Sequence, residues 1–393
     1  MYHAVVDAER YRTTQFGKAT QRPGDKWAFT YYRPEPIPRT LSLDTETVFL
    51  LSEAENSLGH LHGLGRLIPE PNLLVGPFLT REALASSRIE GTNASLTEVL
   101  KAEEVEAAKT DDVAEVERHL AATRKGLQLI QTLPISQRLI KQVHAELMDG
   151  VRGEEKQPGE IRWSPVWIGS STPTTALFVP PLPEHLPELL TDWEKFVNEP
   201  SRLPLLVRSA LMHYQFETIH PFLDGNGRVG RLIIGLQLIA EERLTAPLLY
   251  LSGYLETHRQ DYYRGLQAVR ETGDIQEWIQ FFCQAVKTQS DDSVARAAQL
   301  IEIRERYYRQ TVADRSRVAA LIPLIFGNPF ITTRRVRLSL DVTNQGARNL
   351  LERGVDYGWL KYMGSLGSAG RHYYAATEVL EAIERPTIYD KNE

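Results

Sequence analysis

The chain has 393 residues, of which 42% are hydrophobic and 24% charged, and its net charge is -6. This composition fits two or three folded domains of roughly 150 residues each and excludes long disordered tracts. The acidic balance argues against nucleic acid as the partner of the whole molecule, although a local basic patch escapes that argument.

The single cysteine, Cys283, excludes a disulfide framework or a cysteine-rich zinc site. Its apolar setting over 278–283 reads as a buried, inert thiol. The first residues have no basic start and no apolar segment, so no signal peptide is expected. The longest apolar runs, such as 232–240, fall short of the roughly 20 residues that span a membrane. The expectation is a cytoplasmic protein without a membrane partner.

The first 40 residues are rich in Pro, Arg and Tyr and lack periodicity, so 1–45 read as an arm wrapping a globular body. Apolar residues at helical spacing predict helices over 51–67, 80–89, 96–108, 114–133 and 138–148. Residues 166–179 read as two short strands joined by a polar turn. An isolated hairpin is marginal, so it must lie against the helices, and its free edge can accept an extended peptide. Helices resume over 186–197, 205–219, 228–242, 254–269 and 275–287, and a polar helix over 291–312 reads as a connector. Beyond residue 316 come short helices over 318–326, 332–338 and 343–351, the last stopped by Gly354. A Gly-rich turn then joins strands over 359–363 and 371–375. The fold class is mainly α, with a winged helix-turn-helix at 316–393 connected through 291–315.

The chemistry concentrates in His220-Pro221-Phe222-Leu223-Asp224-Gly225-Asn226-Gly227-Arg228-Val229-Gly230-Arg231. Pro221 biases His220 away from the helical region, ending the preceding helix. Gly225, Gly227 and Gly230 let backbone amides turn toward one point, and a helix N-terminus there binds anions. Arg228 and Arg231, three apart, share one face of that helix. The segment also fits G-x-G-x-x-G, but a dinucleotide fingerprint must follow a strand, and here a helix precedes it. A histidine near neutral pKa can deprotonate a hydroxyl. Asp224 can hold Mg²⁺ between phosphate oxygens. Amides and arginines stabilise charge developing on the phosphates. The inventory is that of phosphate-ester transfer.

This segment resembles the Fic motif, H-x-F-x-[DE]-G-N-G-R-x-x-R, at every fixed position. The resemblance implies an all-helical catalytic domain over 46–290 with a flap hairpin at 166–180. It implies protein adenylylation, in which a Ser, Thr or Tyr hydroxyl of a target protein attacks the α-phosphorus of ATP. In that scheme His220 is the general base and Asp224 holds Mg²⁺. Gly225, Asn226 and Gly227 form the anion hole. Arg228 and Arg231 bind phosphates, with Val229 and Gly230 completing the phosphate segment. The flap aligns the target. Tyr262, Tyr263 and Arg270 stand where the family places residues around the nucleoside, although core aromatics on a helix face would look the same. A family member that phosphorylates its target has Lys where Arg228 stands, so Arg here favours AMP transfer. The family precedent also implies a homodimer.

Ser86-Ser87-Arg88-Ile89-Glu90-Gly91 fits the family's inhibitory pattern, [ST]-x-x-x-E-[GN], within an expected inhibitory helix over 80–91. An anion at a helix C-terminus opposes the helix dipole by about 0.3–1 kcal/mol, which calls for a cationic partner. The resemblance makes that partner Arg231, with Ser86 fixing a rotamer. It also allows Glu90 to activate water for AMP removal. From 304 to 371, twelve Lys and Arg face five Asp and Glu, a balance of +7 that leaves -13 for the rest. A basic winged helix is expected to read DNA through 343–352, with Arg334, Arg335 and Arg348 as contacts. Winged helices also dock proteins.

Overall fold

The computed structural model describes residues 10–22, 28–67, 72–104, 109–151, 154–366 and 371–385. It begins with strands β1 (Gly17–Arg22) and β2 (Phe29–Pro34). Helices α1 (Thr45–Leu67), α2 (Asn72–Ile89), α3 (Leu96–Ala102), α4 (Asp111–Leu129) and α5 (Gln137–Met148) follow. Then come α6 (Leu186–Asn198), α7 (Leu205–Ile219), α8 (Asn226–Ala240), α9 (Leu251–Thr257), α10 (Arg259–Thr272) and α11 (Gln276–Gln310). The C-terminal part holds α12 (Leu321–Gly327), β3 (Phe330–Thr332), α13 (Thr333–Leu340) and α14 (Asn344–Asp356). Strands β4 (Lys361–Leu366) and β5 (Arg371–Ala375) and helix α15 (Thr377–Glu384) complete it.

The chain divides into two compact units that interleave in sequence. The first comprises 1–56, 121–242 and 254–287, and the second 57–120, 243–253 and 288–393.

The first unit is built around α7, whose residues from Leu206 to Ile219 are all buried. A helix apolar or satisfied on every side belongs in a core. Several of its polar side chains have partners: Arg208 donates to Val197 O at 2.7 Å, Ser209 to Gln237 at 2.7 Å and Gln215 to Glu35 O at 3.0 Å. The Trp193 and Trp278 indoles donate to the α7 carbonyls of Met212 and Ala210. Helix α8 crosses α7 closely at Gly230, where an added Cβ would lie 2.5 Å from Glu217 Oε1.

The N-terminal segment is not the irregular arm expected. β1 and β2 pair antiparallel from Gly17↔Pro34 to Arg22↔Phe29. The Tyr32 amide of β2 then donates to Val179 O at 2.9 Å. Tyr11, Phe29, Tyr31 and Tyr32 cluster with Phe178, Val179 and Leu182. The expected flap hairpin shrinks to one antiparallel bridge, Ile168↔Phe178. Beyond that bridge Val179 O accepts from β2, and Pro180 and Pro181 have no N–H to extend a ladder.

In the second unit, α3 opens with a reciprocal capping box between Ser95 and Glu98. The C-terminal sheet has the order β3-β5-β4 beside α13 and α14. This helix–strand–helix–helix–hairpin order fits a winged helix. It packs on α3: Asn328 donates to Leu100 O and Glu103, each at 2.9 Å. Thr332 and Arg335 both reach Glu104, each at 2.8 Å. Arg296 of α11 pairs with Asp292 at 2.9 Å and donates to the Ala382 and Ile383 carbonyls. Residues 57–120 therefore cluster with the winged helix, a grouping different from the expected split at 290–316.

Other boundaries moved for local reasons. The helices expected over 275–287 and 291–312 are one, α11, because the linking Thr288, Gln289 and Ser290 are buried and contain no breaker. The helix expected over 254–269 breaks at His258 into α9 and α10. Gly354 does not stop α14; a Cβ there would meet Leu360 Cδ1 at 2.8 Å, so the glycine serves packing. Cys283 is buried and its thiol is pushed up to about 12 by burial, as an inert core thiol should be.

Candidate active site

His220 caps α7 in the left-handed region, with φ 52° and ψ 62°, and its amide donates to Phe216 O at 2.9 Å. That conformation costs a non-glycine residue about 1–2 kcal/mol, so something must hold it. Arg162 does: its Nε donates to His220 O at 2.7 Å and its Nη2 to Ile219 O at 3.2 Å. The Arg162 amide donates to Pro221 O at 2.9 Å.

The loop after His220 is closed from within. Asn226 accepts the Phe222 amide at 2.8 Å and donates back to Phe222 O at 2.9 Å. Both halves of its side-chain amide are thereby used to shape the loop. Gly225 sits at φ 74° as the N-cap of α8, and its amide donates to Asp224 Oδ1 at 2.6 Å. Its position also leaves no room for a side chain, since a Cβ would meet Met148 Sδ at 3.0 Å.

His144 supports the loop from α5. Gly159 donates to its Nδ1 at 2.7 Å, so Nε2 carries the proton and donates to Asp224 O at 3.0 Å. Its ring stacks on Phe222 at 3.8 Å and 3°. Burial pushes its pKa down to about 4, with the Arg228 charge adding to the shift, so it is neutral near pH 7. His213 of α7 bonds Tyr262 OH at 2.9 Å and is likewise held down, to about 3, by burial and then by the Arg231 charge.

Arg228 and Arg231 are 5% and 3% exposed, on the first turns of α8. Arg228 Nη2 lies 3.6 Å from Met148 Sδ and 3.9 Å from Asp224 Oδ1. Its Nε and Nη1 are buried and donate to no described protein group. Leaving such donors unmet costs about 1–3 kcal/mol or more, which points to an anion as their partner. The first-turn amides of α8 have no intrahelical acceptor and add to the same field. Asp224 is exposed at the loop surface. Val229 is fully buried and Gly230 packs on α7, so these two serve the helix crossing. No cluster of three metal-ligating side chains occurs among the described residues. Asp224 with its second oxygen fits Mg²⁺, which takes one or two carboxylates together with substrate phosphates.

The residues expected around the nucleoside do not share one environment. Tyr262 is 1% exposed and part of the aromatic core with Trp278. Arg270 is buried, donates to Thr218 at 3.1 Å and stacks 3.9 Å over Phe178 of the flap. Both are buried, whereas Tyr263 is 42% exposed. In the second unit Ser86 is buried within α2, and Glu90 is exposed one residue beyond its end, before Gly91 at φ 100°.

Sequence reasoning missed His144 and Arg162. His144 carried a signal, being the polar residue among Leu139, Ile140, Val143 and Leu147 on the buried face of α5. Arg162 carried none.

Residues 134–238 match the Fic/DOC family, and residues 48–128 match the Fic/DOC family N-terminal region. The two matched regions together lie between 48 and 238. The protein adenylyltransferase fic-1 of Caenorhabditis briggsae is 32% identical over 142 residues, 36% of this chain and 24% of that protein. The protein adenylyltransferase Fic of Drosophila willistoni is 30% identical over 174 residues, 44% of this chain and 32% of that one. The matched region thus spans between about a quarter and a third of these relatives. A Fic family protein from Desulfovibrio desulfuricans G20 shares the fold, with a TM-score of 0.56 and 24% identity over 87% of this chain and 98% of that one. No helix among the described residues is long and apolar enough to cross a membrane.

Proposed function

We propose that the chain is a protein adenylyltransferase that moves AMP from ATP to a Ser, Thr or Tyr hydroxyl. The observation that carries this is the buried Arg228 guanidinium, with unmet donors at the N-terminus of α8, in the loop that also holds His220 and Asp224. The relatives named protein adenylyltransferases support it.

His220 accepts the proton of the target hydroxyl. The hydroxyl oxygen forms a bond to the α-phosphorus as the bond to the bridging oxygen breaks, and pyrophosphate leaves with that electron pair. Arg228, Arg231 and the first-turn amides of α8 hold the phosphate oxygens and their growing charge. Mg²⁺, held by Asp224, would neutralise phosphate charge when bound. The inhibitory role of Glu90 and Ser86, acting on Arg231, belongs to this proposal and rests on their sequence pattern. AMP removal and another nucleotide donor are its alternatives.

Mass spectrometry after incubation with each nucleoside triphosphate and Mg²⁺ tests the reading. A gain of AMP mass from ATP, lost in His220→Ala, is the expected result. A gain of phosphate or UMP mass, or no gain in either the parent or Glu90→Gly, refutes it.

A second reading concerns the winged helix. The helix α14 exposes Asn344, Gln345, Arg348 and Asn349 while burying Ala347, Leu350 and Leu351. These exposed residue types read base edges and contact phosphates. Arg335, expected as a contact, is engaged by Glu104, whereas Arg334, Arg337 and Arg348 are exposed. A salt-sensitive shift of duplex DNA, lost when those three become Ala, supports duplex binding. No shift at low salt ends it.

A further inference from the structure

Arg162 has no part in the phosphate chemistry, yet its surroundings are specific. It is 2% exposed. Besides the carbonyls of Ile219 and His220, its Nη1 donates to Ser164 O at 3.1 Å and its Nη2 to Pro181 O at 2.6 Å. Every acceptor is a backbone carbonyl, and no described carboxylate pairs with it. Burial alone lowers its pKa, to about 10.

Two of these carbonyls end α7, at the negative pole of the helix dipole, where a cation is favoured. The other two belong to the flap: Ser164 lies where its outgoing leg begins, and Pro181 where its returning leg ends. The legs meet at the Ile168↔Phe178 bridge, where the Ile168 amide donates to Phe178 O and the Leu177 amide to Ile168 O, each at 2.9 Å. One planar fork of five donors therefore joins the strained backbone of His220 to both roots of the flap. Lys cannot copy this, because its donors radiate from a single nitrogen.

We propose that Arg162 is a positioning residue that couples the flap to His220, so that a hydroxyl presented on the flap meets the imidazole at a fixed distance. This deepens the adenylyltransferase reading and rests on it for its catalytic consequence. Misplacing reacting groups by about 1 Å costs on the order of a hundredfold in rate.

The test compares the full chain with Arg162→Lys and Arg162→Gln. Self-modification with labelled ATP, the apparent KM for ATP, thermal melting and amide exchange of peptides covering 163–181 and 216–224 are measured. The expected result is a kcat reduced at least tenfold, a KM for ATP within twofold of the parent, and flap amides exchanging at least tenfold faster. An unchanged kcat overturns the proposal. So does a KM for ATP that rises in step with the lost rate, or unchanged flap exchange. If neither variant unfolds cooperatively, Arg162 is structural only and the proposal also fails. If neither the parent chain nor Glu90→Gly transfers AMP, the adenylyltransferase reading fails instead, and flap exchange then decides the coupling by itself.

Discussion

Acidification probes how His144 holds the catalytic loop. In the folded chain its pKa is about 4, against an ordinary value of 6.5. The unfolded chain therefore takes up the proton first as pH falls. Above about pH 6.5 both states are neutral and the group contributes no pH dependence. Between about pH 6.5 and 4 the unfolded state binds more protons, so stability falls as pH falls, and below that window the loss levels off. A separation of about 2.5 units at about 1.36 kcal/mol each gives about 3 kcal/mol as an upper figure. His144→Gln does not titrate, whereas His213 and the carboxylates remain in both chains and cancel in the difference. Urea unfolding of the two chains at pH 7, 6, 5 and 4 gives that difference directly. The parent's advantage over His144→Gln should shrink by about 2–3 kcal/mol from pH 7 to pH 4. A difference that stays flat would sink the assignment of a neutral His144 donating from Nε2 to Asp224 O.

Gly230→Ala should lower stability by about 1–3 kcal/mol by overpacking, since its Cβ meets Glu217, Phe216 and His213 within 3.3 Å; an unaltered urea midpoint would show that the crossing can relax. Arg228→Met keeps length without donors, and should reduce AMP transfer by about a hundredfold or more while the melt changes little; retained transfer removes Arg228 from phosphate binding. Glu90→Gly should raise self-modification with labelled ATP at least tenfold, and no rise removes Glu90 from inhibition.

The order of the helices and the segment 220–231 joining α7 to α8 were legible because each rests on local chemistry. Helical spacing, a proline after His220 and glycines around Asn226 act within a few residues. The parts that were not legible depend on distant partners. Nothing near Arg162 in sequence announces carbonyls at 181, 219 and 220. The N-terminal hairpin escaped because its strands alternate poorly, β2 being buried at nearly every position against the flap. The flap was overdrawn for the converse reason: its residues suit strands, but its legs pair only around Ile168 and Phe178, and beyond that bridge Val179 O accepts from Tyr32 of β2. Tyr262 illustrates a third limit, since an aromatic on a helix face reads the same whether it meets a nucleoside or Trp278.

The docking of the winged helix on α3 bears on how this protein can be dissected. Removing residues 316–393 would leave Leu100 O without its Asn328 donor and Glu103 and Glu104 without Asn328, Thr332 and Arg335. It would also uncover the side of α2 where Gly76 approaches Gly327 O, on the helix that leads to Glu90. The C-terminal domain is thus not a detachable module. A shortened chain would lose the C-terminal domain and the hydrogen bonds it makes to the 100–104 segment in the same cut, and point substitutions are needed to tell the two effects apart.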